Sequence, residues 1–146
     1  MRIGIFVSEP GGGASTIGEL RERARRAEEL GFASAWVPYL PWSLDALASL
    51  QAAGAATRAI ELGTAVVPTY FFHPLALARQ AATVQCAVGR PIALGVGCSN
   101  EAVVRMHGLA YDRPAAHVRD YVEVLGAALR AGAAPAGERE HAGFVA

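Results

Sequence analysis

The sequence predicts a parallel α/β fold made of four strand–helix units. Three observations favour it: the predicted strands are almost continuously apolar, each is followed by a segment of helical periodicity, and each unit takes about 30–35 residues. Two architectures fit these units, a small doubly wound sheet or the first half of an eight-stranded barrel, which needs about 250 residues when complete. The chain has 146 residues, so we expect a single domain spanning residues 1–146.

The first two units precede Ile60. A buried strand is predicted from Arg2 to Val7, with Ile3, Ile5, Phe6 and Val7 as its apolar residues, and a loop at Gly11–Gly13. Thr16 and Glu19 have the spacing of a capping box, which starts a helix that ends at Gly31. A second strand is predicted from Ala33 to Pro38, and a second helix, capped by Ser43, to about Thr57.

The third unit contains the most distinctive stretch of the chain. A strand is predicted from Ile60 to Val67, with a break at Pro68 because proline cannot donate a ladder hydrogen bond. Three aromatic residues, 70–72, then form a loop, and Pro74 suits the first position of a helix that runs to Val88. A hydrophobic strand with such a loop at its carboxyl end is how an α/β protein builds half of a ligand pocket.

The fourth unit has a strand from Ile92 to Gly97, a short helical piece at Ala102–Met106 and a final helix from His117 to Ala131. We expect that helix to face inward through Val118, Tyr121, Leu125 and Leu129. The tail, residues 133–146, is predicted to be irregular, or to begin a strand at Phe144.

Composition excludes several classes of function. All 13 basic residues are arginine and balance 13 acidic ones, which argues against a nucleic-acid partner. No apolar run reaches the ~18 residues that span a bilayer. Cys86 and Cys98 are predicted to be reduced, buried thiols of a cytoplasmic protein. No metal site is predicted, and we expect His107, His117 and His141 to be surface residues.

The glycine motifs do not indicate a nucleotide site. Gly13 and Gly18 have P-loop spacing, but Glu19 stands where a lysine is needed. Gly95 and Gly97 have two interpretations: they let a flat ring lie against the backbone, or they allow close strand–helix packing. His73 is interpreted as a helix-entry histidine that bonds local backbone, with a catalytic base as the alternative.

Several motifs nevertheless occur together in the order and spacing of one family. They are Arg2-Ile3-Gly4-Ile5-Phe6, residues 25–32 with Ser34-Ala35-Trp36, residues 62–70 with His73-Pro74, Leu94-Gly95-Val96-Gly97 and Tyr111-Asp112-Arg113-Pro114. In these motifs the chain resembles the N-terminal half of a bacterial-luciferase-like oxidoreductase, and is most similar to the branch that uses the deazaflavin coenzyme F420.

The resemblance implies half of a (β/α)8 TIM barrel, four βα units, with the coenzyme ring at the carboxyl ends of the strands. It implies hydride transfer between reduced F420 and a small organic substrate. The alternatives are an FMN-dependent monooxygenase of the same fold and a non-catalytic half-barrel remnant. The coenzyme-binding residues that it implies are Tyr39, Thr64, Ala65, Val66, Val67, Gly97, Cys98 and Asn100.

The chain also departs from the family. It is about half a member's length, so a truncated or split protein is expected, pairing as a homodimer or with a complementary C-terminal half. In the sugar-phosphate and alcohol dehydrogenases of the family, an acidic residue and a histidine follow strand two, where this chain has Tyr39 and Leu40. A glutamate follows strand four in those enzymes, where this chain has Asn100. Asn100 is the candidate catalytic residue, although an amide can orient a substrate and cannot shuttle a proton.

The family also has a bulge with a non-proline cis peptide in strand three, where backbone supports the coenzyme ring. The corresponding bond is Ala65–Val66. We therefore expect a cis bond there, with an ordinary trans strand as the alternative.

Overall fold

A computed structural model describes residues 1–8 and 16–132. The predictions for Gly11–Gly13, His141, Phe144 and the tail 133–146 lie outside these residues. In chain order the elements are β1 (Gly4–Phe6), α1 (Ile17–Glu29), β2 (Ser34–Val37), α2 (Ala46–Ala56), β3 (Glu61–Thr64), β4 (Val67–Pro68), α3 (Pro74–Val88), β5 (Ile92–Ala93), β6 (Val96–Gly97), α4 (Glu101–Met106) and α5 (Pro114–Gly132).

The strands form two sheets. Strands β1, β2, β3 and β5 pair in parallel in that order, and β4 pairs with β6. The predicted parallel α/β architecture with strand–helix alternation is therefore confirmed. The chain divides into two units: the first contains residues 1–67 and 83–96, and the second contains residues 68–82 and those from 97 onwards.

The core of the first unit lies where α1 and α2 pack together and α2 packs on the sheet. Leu20, Leu50, Ala35 and Leu62 are completely buried there. The capping box predicted at the start of α1 is present, because the Thr16 hydroxyl accepts from the Glu19 amide while the Glu19 carboxylate accepts from the Thr16 amide.

Strand β1 was predicted to be buried, and this is wrong for most of its length. Ile3, Ile5 and Phe6 are 51%, 37% and 49% exposed, and only Val7 is buried. The reason is its position: among residues 1–8 and 16–132, β1 is the edge of the four-stranded sheet and pairs only with β2. The apolar pattern of a central parallel strand therefore occurs here on an open edge.

The third predicted strand is divided. β3 ends at Thr64 and β4 begins at Val67, with the cis Ala65–Val66 bond between them. The cis bond is confirmed, whereas the break predicted at Pro68 is wrong. Pro68 fits within β4 because the ladder hydrogen bonds come from its neighbours: the Val67 amide donates to Gly95 O at 2.9 Å and the Thr69 amide to Gly97 O at 2.8 Å.

A single carboxylate fixes the chain where it enters β3. Glu28, near the end of α1, accepts hydrogen bonds from the amides of Arg58, Ala59 and Ile60 at 2.7–3.0 Å. Burial raises the pKa of Glu28, but these three backbone hydrogen bonds together outweigh it, so the pKa lies below the ordinary value of 4.5. The helix and the strand are thus tied together by one charged group.

Helix boundaries agree with the sequence where proline or glycine marks them. α3 runs from Pro74 to Val88 as predicted, and Gly89 follows it with φ +74°. α2 begins later than predicted, because Asp45 is its N-cap and accepts from the Ala48 amide at 2.9 Å. Ser43 instead hydrogen-bonds the backbone of Leu40 in the preceding turn.

The fourth strand and the last helix also differ from the prediction. The strand is divided into β5 and β6, and α5 starts at Pro114 instead of His117, because proline suits the first helical position. Tyr121 and Leu125 are buried as expected, but Leu129 is 39% exposed. Within residues 1–8 and 16–132, no helix is both long enough and apolar enough to cross a membrane.

Candidate functional site

The end of β3 is joined to the fourth strand through one side chain. The Thr64 hydroxyl donates to Gly95 O at 2.8 Å and accepts from the Gly95 amide at 2.9 Å. Thr64 is only 1% exposed, so this hydroxyl uses its donor and an acceptor position inside the protein. We call this pair of hydrogen bonds the Thr64–Gly95 clasp.

Gly95 is required by how closely the two strands approach. A Cβ atom at this position would lie 2.2 Å from Thr64 O, which no side chain tolerates. Of the two interpretations of this glycine, close packing applies, although it is packing of strand against strand instead of strand against helix. The sequence left this open because a glycine does not show which neighbour approaches it.

Beyond the clasp lie the predicted ring-backing residues. Val67 is 1% exposed and belongs to the core, Ala65 is half-buried, and Val66 is 39% exposed. Only Val66 therefore presents a substantial apolar surface, with Ala65 beside it. These two residues could lie against a flat ring, while Thr64 and Val67 could support them from the interior.

Tyr39 follows β2 in the first unit and is half-buried. Burial raises its pKa, and the Asp45 carboxylate raises it further. Its hydroxyl is therefore neutral at physiological pH and can act as a hydrogen-bond donor.

In the second unit, Cys98 is next to a tyrosine. The Tyr111 hydroxyl lies 3.4 Å from Cys98 Sγ and 3.3 Å from Ser99 O. The hydrogen bond to Cys98, together with burial, raises the pKa of Tyr111 to about 12. Both cysteines are free, as predicted, but the predicted burial is wrong: Cys86 is exposed and Cys98 is half-buried. Cys86 lies on the outer side of α3 and Cys98 in the turn before α4.

Asn100 is the N-cap of α4. Its side-chain oxygen accepts from the Val103 amide at 3.0 Å, and its backbone is extended as a cap requires. Its catalytic role remains a prediction.

The aromatic loop after β4 is tied to the last helix. The ring of Tyr70 stacks on His117 with centroids 4.0 Å apart and planes within 8°, and the Tyr70 hydroxyl donates to Asp112 O at 2.6 Å. Phe71 stacks on His107, also at 4.0 Å. The surface prediction is right for exposed His107 and wrong for His117, which is half-buried in the stack.

Sequence reasoning missed these stacks, although the signal was present. The signal was the run of three aromatic residues at 70–72 together with the histidine of α5, which were each considered alone. His73 acts as predicted, because its Nδ1 accepts from the Leu75 amide at 3.3 Å at the entry to α3.

The predicted site residues thus form two sets. Tyr39, Thr64, Ala65, Val66 and Val67 lie in the first unit, and Gly97, Cys98 and Asn100 lie in the second. In the first set, the clasp fixes the backbone by hydrogen bonds and Val66 exposes an apolar side chain. In the second set, Cys98 contacts Tyr111 and Asn100 caps helix α4.

The parallel strand–helix units and the residues at their carboxyl ends define a luciferase-like protein. The model of the luciferase-like monooxygenase family matches residues 1–144, and the chain belongs to this family.

Individual relatives agree with this assignment. The chain is 37% identical over 94 residues to an F420-dependent glucose-6-phosphate dehydrogenase from Amycolatopsis mediterranei, a match that covers 58% of this chain and 28% of the relative. Among solved structures it is similar to an F420-dependent secondary alcohol dehydrogenase in complex with an F420-acetone adduct, with a TM-score of 0.74 and 24% identity over 97% of this chain and 44% of that one.

A second similar structure has a different cofactor. It is the oxygenating constituent of 3,6-diketocamphane monooxygenase from Pseudomonas putida, in complex with FMN, with a TM-score of 0.73, 18% identity and coverage of 86% of this chain and 39% of that one. These likenesses show the fold, the N-terminal four βα units of a luciferase-like barrel. The chain spans less than half the length of the proteins it matches.

Proposed function

We propose that this chain carries the N-terminal part of the ring site of an F420-dependent oxidoreductase, which transfers a hydride between the reduced coenzyme and a small organic substrate. The observation that carries the proposal is the 37% identity with an F420-dependent dehydrogenase. Family membership over residues 1–144 supports it, since that stretch includes every predicted site residue.

The residues at the end of strand three fit an aromatic ring. Val66 exposes an apolar side chain, the adjoining Ala65 is small, and the clasp holds the backbone before them. An apolar surface beside fixed polar backbone is what ring-shaped cofactors require of a pocket wall. The coenzyme, when bound, would supply the hydride, and the protein's part would be to position the ring and exclude water.

The residues of the second unit limit the proton chemistry. Asn100 cannot take up a proton and its oxygen is engaged in the helix cap. Tyr111, with a pKa of about 12, stays protonated at physiological pH and cannot act as a base. We therefore propose an activated acceptor as the substrate class, since hydride delivery to such a compound needs no protein base and its second hydrogen comes from water.

Two alternatives remain. The FMN-bound neighbour favours a monooxygenase with FMN on the same wall, and a half-barrel remnant without turnover would bind neither cofactor. A titration with oxidised and reduced F420 and with FMN, followed by ring absorbance, separates the three. We expect F420 to bind weakly, with a Kd of about 0.1–1 mM, because the phosphate site of such barrels usually follows strands seven and eight.

Two valines provide a matched comparison for that titration. Val66→Glu places a charge on the proposed ring wall and should abolish the absorbance change, whereas Val122→Glu places the same charge on α5, at a valine that is 46% exposed. Binding that is preferential for FMN would favour the monooxygenase. If neither cofactor binds to the chain, either by itself or after the C-terminal half of the Amycolatopsis relative is added, the half-barrel remnant without turnover is the interpretation that is left.

Assembly and location are part of the proposal. The exposed apolar residues of the edge strand β1 support pairing with a second copy or with a complementary C-terminal half. The free thiols support a reducing, cytoplasmic location. Light scattering should detect association, and a cooperatively melting monomer would contradict it.

A further inference from the structure

Three buried serine and threonine hydroxyls have no hydrogen-bond partner among residues 1–8 and 16–132. They belong to Ser8, Ser49 and Thr69, whose side chains lie in residues that are 4%, 0% and 2% exposed. The buried Thr64 hydroxyl, by contrast, is fully engaged in the clasp. A buried hydroxyl without a partner costs stability, so each one requires an explanation, and a ligand is one such explanation.

The position of Ser8 favours a ligand. Ser8 lies two residues beyond β1, at the carboxyl end of that strand and in the first unit, whereas Ser49 lies within helix α2 and Thr69 belongs to the second unit. The carboxyl ends of parallel strands are where α/β proteins bind their ligands. The Ser8 hydroxyl is therefore at the same end of the sheet as the proposed ring wall.

Ser8 is also on the same face of the sheet as Ala65. Phe6 pairs with Trp36, and Trp36 pairs with Gly63. Ser8 follows Phe6 by two residues, and Ala65 follows Gly63 by two residues. Because side chains alternate along a strand, both residues lie on the face that carries Trp36.

The parallel pairing continues up to these two residues. The Val7 amide donates to Trp36 O at 3.1 Å, and the Ala65 amide donates to Val37 O at 2.9 Å. Ser8 and Ala65 are thus separated by two strand spacings, from β1 across β2 to β3, or about 10 Å. A fused three-ring system has a comparable length.

We propose that the Ser8 hydroxyl binds one polar end of the deazaflavin ring through a hydrogen bond. This inference rests on the proposed function. The ring is apolar in its middle and polar at both ends, with an imide at one end and the 8-hydroxyl at the other. A serine hydroxyl both donates and accepts, so it suits either end. A ring that lies against Ala65 and across the end of β2 would bring one of these ends to Ser8.

Stability and binding should change in opposite directions in Ser8→Ala. Removing a buried hydroxyl of this kind should raise the melting temperature by about 2–4 °C. The same change should weaken F420 binding about fivefold, measured by NMR titration, because one hydrogen bond to the ring is lost.

Ser49→Ala is the matched control. It removes a hydroxyl of the same kind from helix α2 of the same unit. We expect it to raise the melting temperature by a similar amount and to leave the Kd for F420 unchanged. A fivefold loss of binding in this variant as well would overturn the proposal, because the effect would then not depend on the position of Ser8.

Modified rings test which group the Ser8 hydroxyl meets. One ring carries a methyl group on the imide nitrogen, and the other carries one on the 8-hydroxyl. One of the two should lose more affinity for the wild type than for Ser8→Ala, since the variant has already lost the contact. Losses that are equal in the two proteins for both rings would overturn the proposal.

These outcomes separate the role of Ser8 from the proposed function. If F420 shifts the amides of residues 64–67 and binds wild type and Ser8→Ala equally well, the role of Ser8 is overturned and the proposed function stands. If F420 does not bind the wild type, even with the C-terminal half of the Amycolatopsis relative supplied, both are overturned. A lower melting temperature for Ser8→Ala than for the wild type would mean that the hydroxyl is engaged within the protein, and would also overturn the proposal.

Discussion

Thr64 shows how one hydroxyl can hold two strand ends together. Its side chain gives and receives a hydrogen bond at Gly95 while remaining buried. Valine has the same shape without the hydroxyl, so Thr64→Val leaves the half-buried Gly95 amide without this acceptor. We expect a loss of about 1–3 kcal/mol in the free energy of unfolding, measured by urea denaturation.

The control for that experiment is Thr64→Ser, which keeps the hydroxyl and loses one methyl group, at a cost of about 1 kcal/mol. The valine variant should be the less stable of the two. If serine were as damaging as valine, the side-chain methyl and not the clasp would be holding the strand.

Glu28 provides a second prediction, with a defined pH dependence. Because its pKa is lower in the folded protein than the ordinary 4.5, its ionised form stabilises the fold at pH values above 4.5. That contribution decreases as the pH falls through the folded pKa. Glu28→Gln should therefore destabilise the protein by about 1–2 kcal/mol at neutral pH.

The difference in stability between wild type and Glu28→Gln should become smaller below pH 4.5, because the wild-type carboxylate then becomes protonated. Thermal melts across this pH range measure it. Glu61→Gln is a suitable comparison, since the Glu61 side chain is 44% exposed and forms a surface ion pair with Arg2, for which we expect at most about 1 kcal/mol. A difference in melting temperature between the two proteins that is the same at all pH values would contradict the role given to the Glu28 charge.

At the scale of single residues, the sequence predicted what local chemistry determines. The capping box at Thr16 and Glu19 needs only neighbouring residues, and it is present. The clasp and the Glu28 contacts join residues about 30 positions apart, and nothing in a strand threonine or a helix glutamate indicates which distant amide it will meet.

Among the elements, the loop that follows β4 is held to α5 by ring stacking. Tyr70 contributes both the stack on His117 and the hydrogen bond to Asp112 O. We expect Tyr70→Ala to lower stability by about 1–3 kcal/mol and to raise amide hydrogen exchange in residues 69–73 and 109–113.

Tyr70→Phe separates the two contributions. It keeps the stack and removes the hydroxyl, so we expect a loss of about 1 kcal/mol and little change in hydrogen exchange at the loop. Exchange that rises equally in both variants would mean that the hydrogen bond, and not the stack, orders this segment.

Elements with clear terminators were the best predicted. Pro74 and Gly89 bound α3, and its limits agree with the prediction. The strands were less predictable, because an apolar run from Ile60 to Val67 does not show that pairing changes from β3 to β4 within it. The exposure of β1 was also hidden, since an apolar pattern cannot tell an edge strand from a central one.

For the molecule as a whole, the sequence motifs predicted the family and the fold, and both are confirmed. Those motifs succeed because several of them occur together in one order and spacing, although they lie on different elements: β1, the end of α1 and the turn before α5 among them. The catalytic assignment was less predictable: Asn100 occupies a position of chemical interest, but its side chain caps a helix, and the pattern alone could not distinguish the two roles.

The end of strand three, in the first unit, is where we propose that a deazaflavin ring binds. The most direct measurement is an NMR titration of the isotope-labelled chain with oxidised F420, since amide shifts detect binding with a Kd near 1 mM and locate it. We predict shifts concentrated at residues 64–67, and their loss in Val66→Glu. Saturable shifts that avoid these residues, or that persist unchanged in Val66→Glu, would contradict the claim.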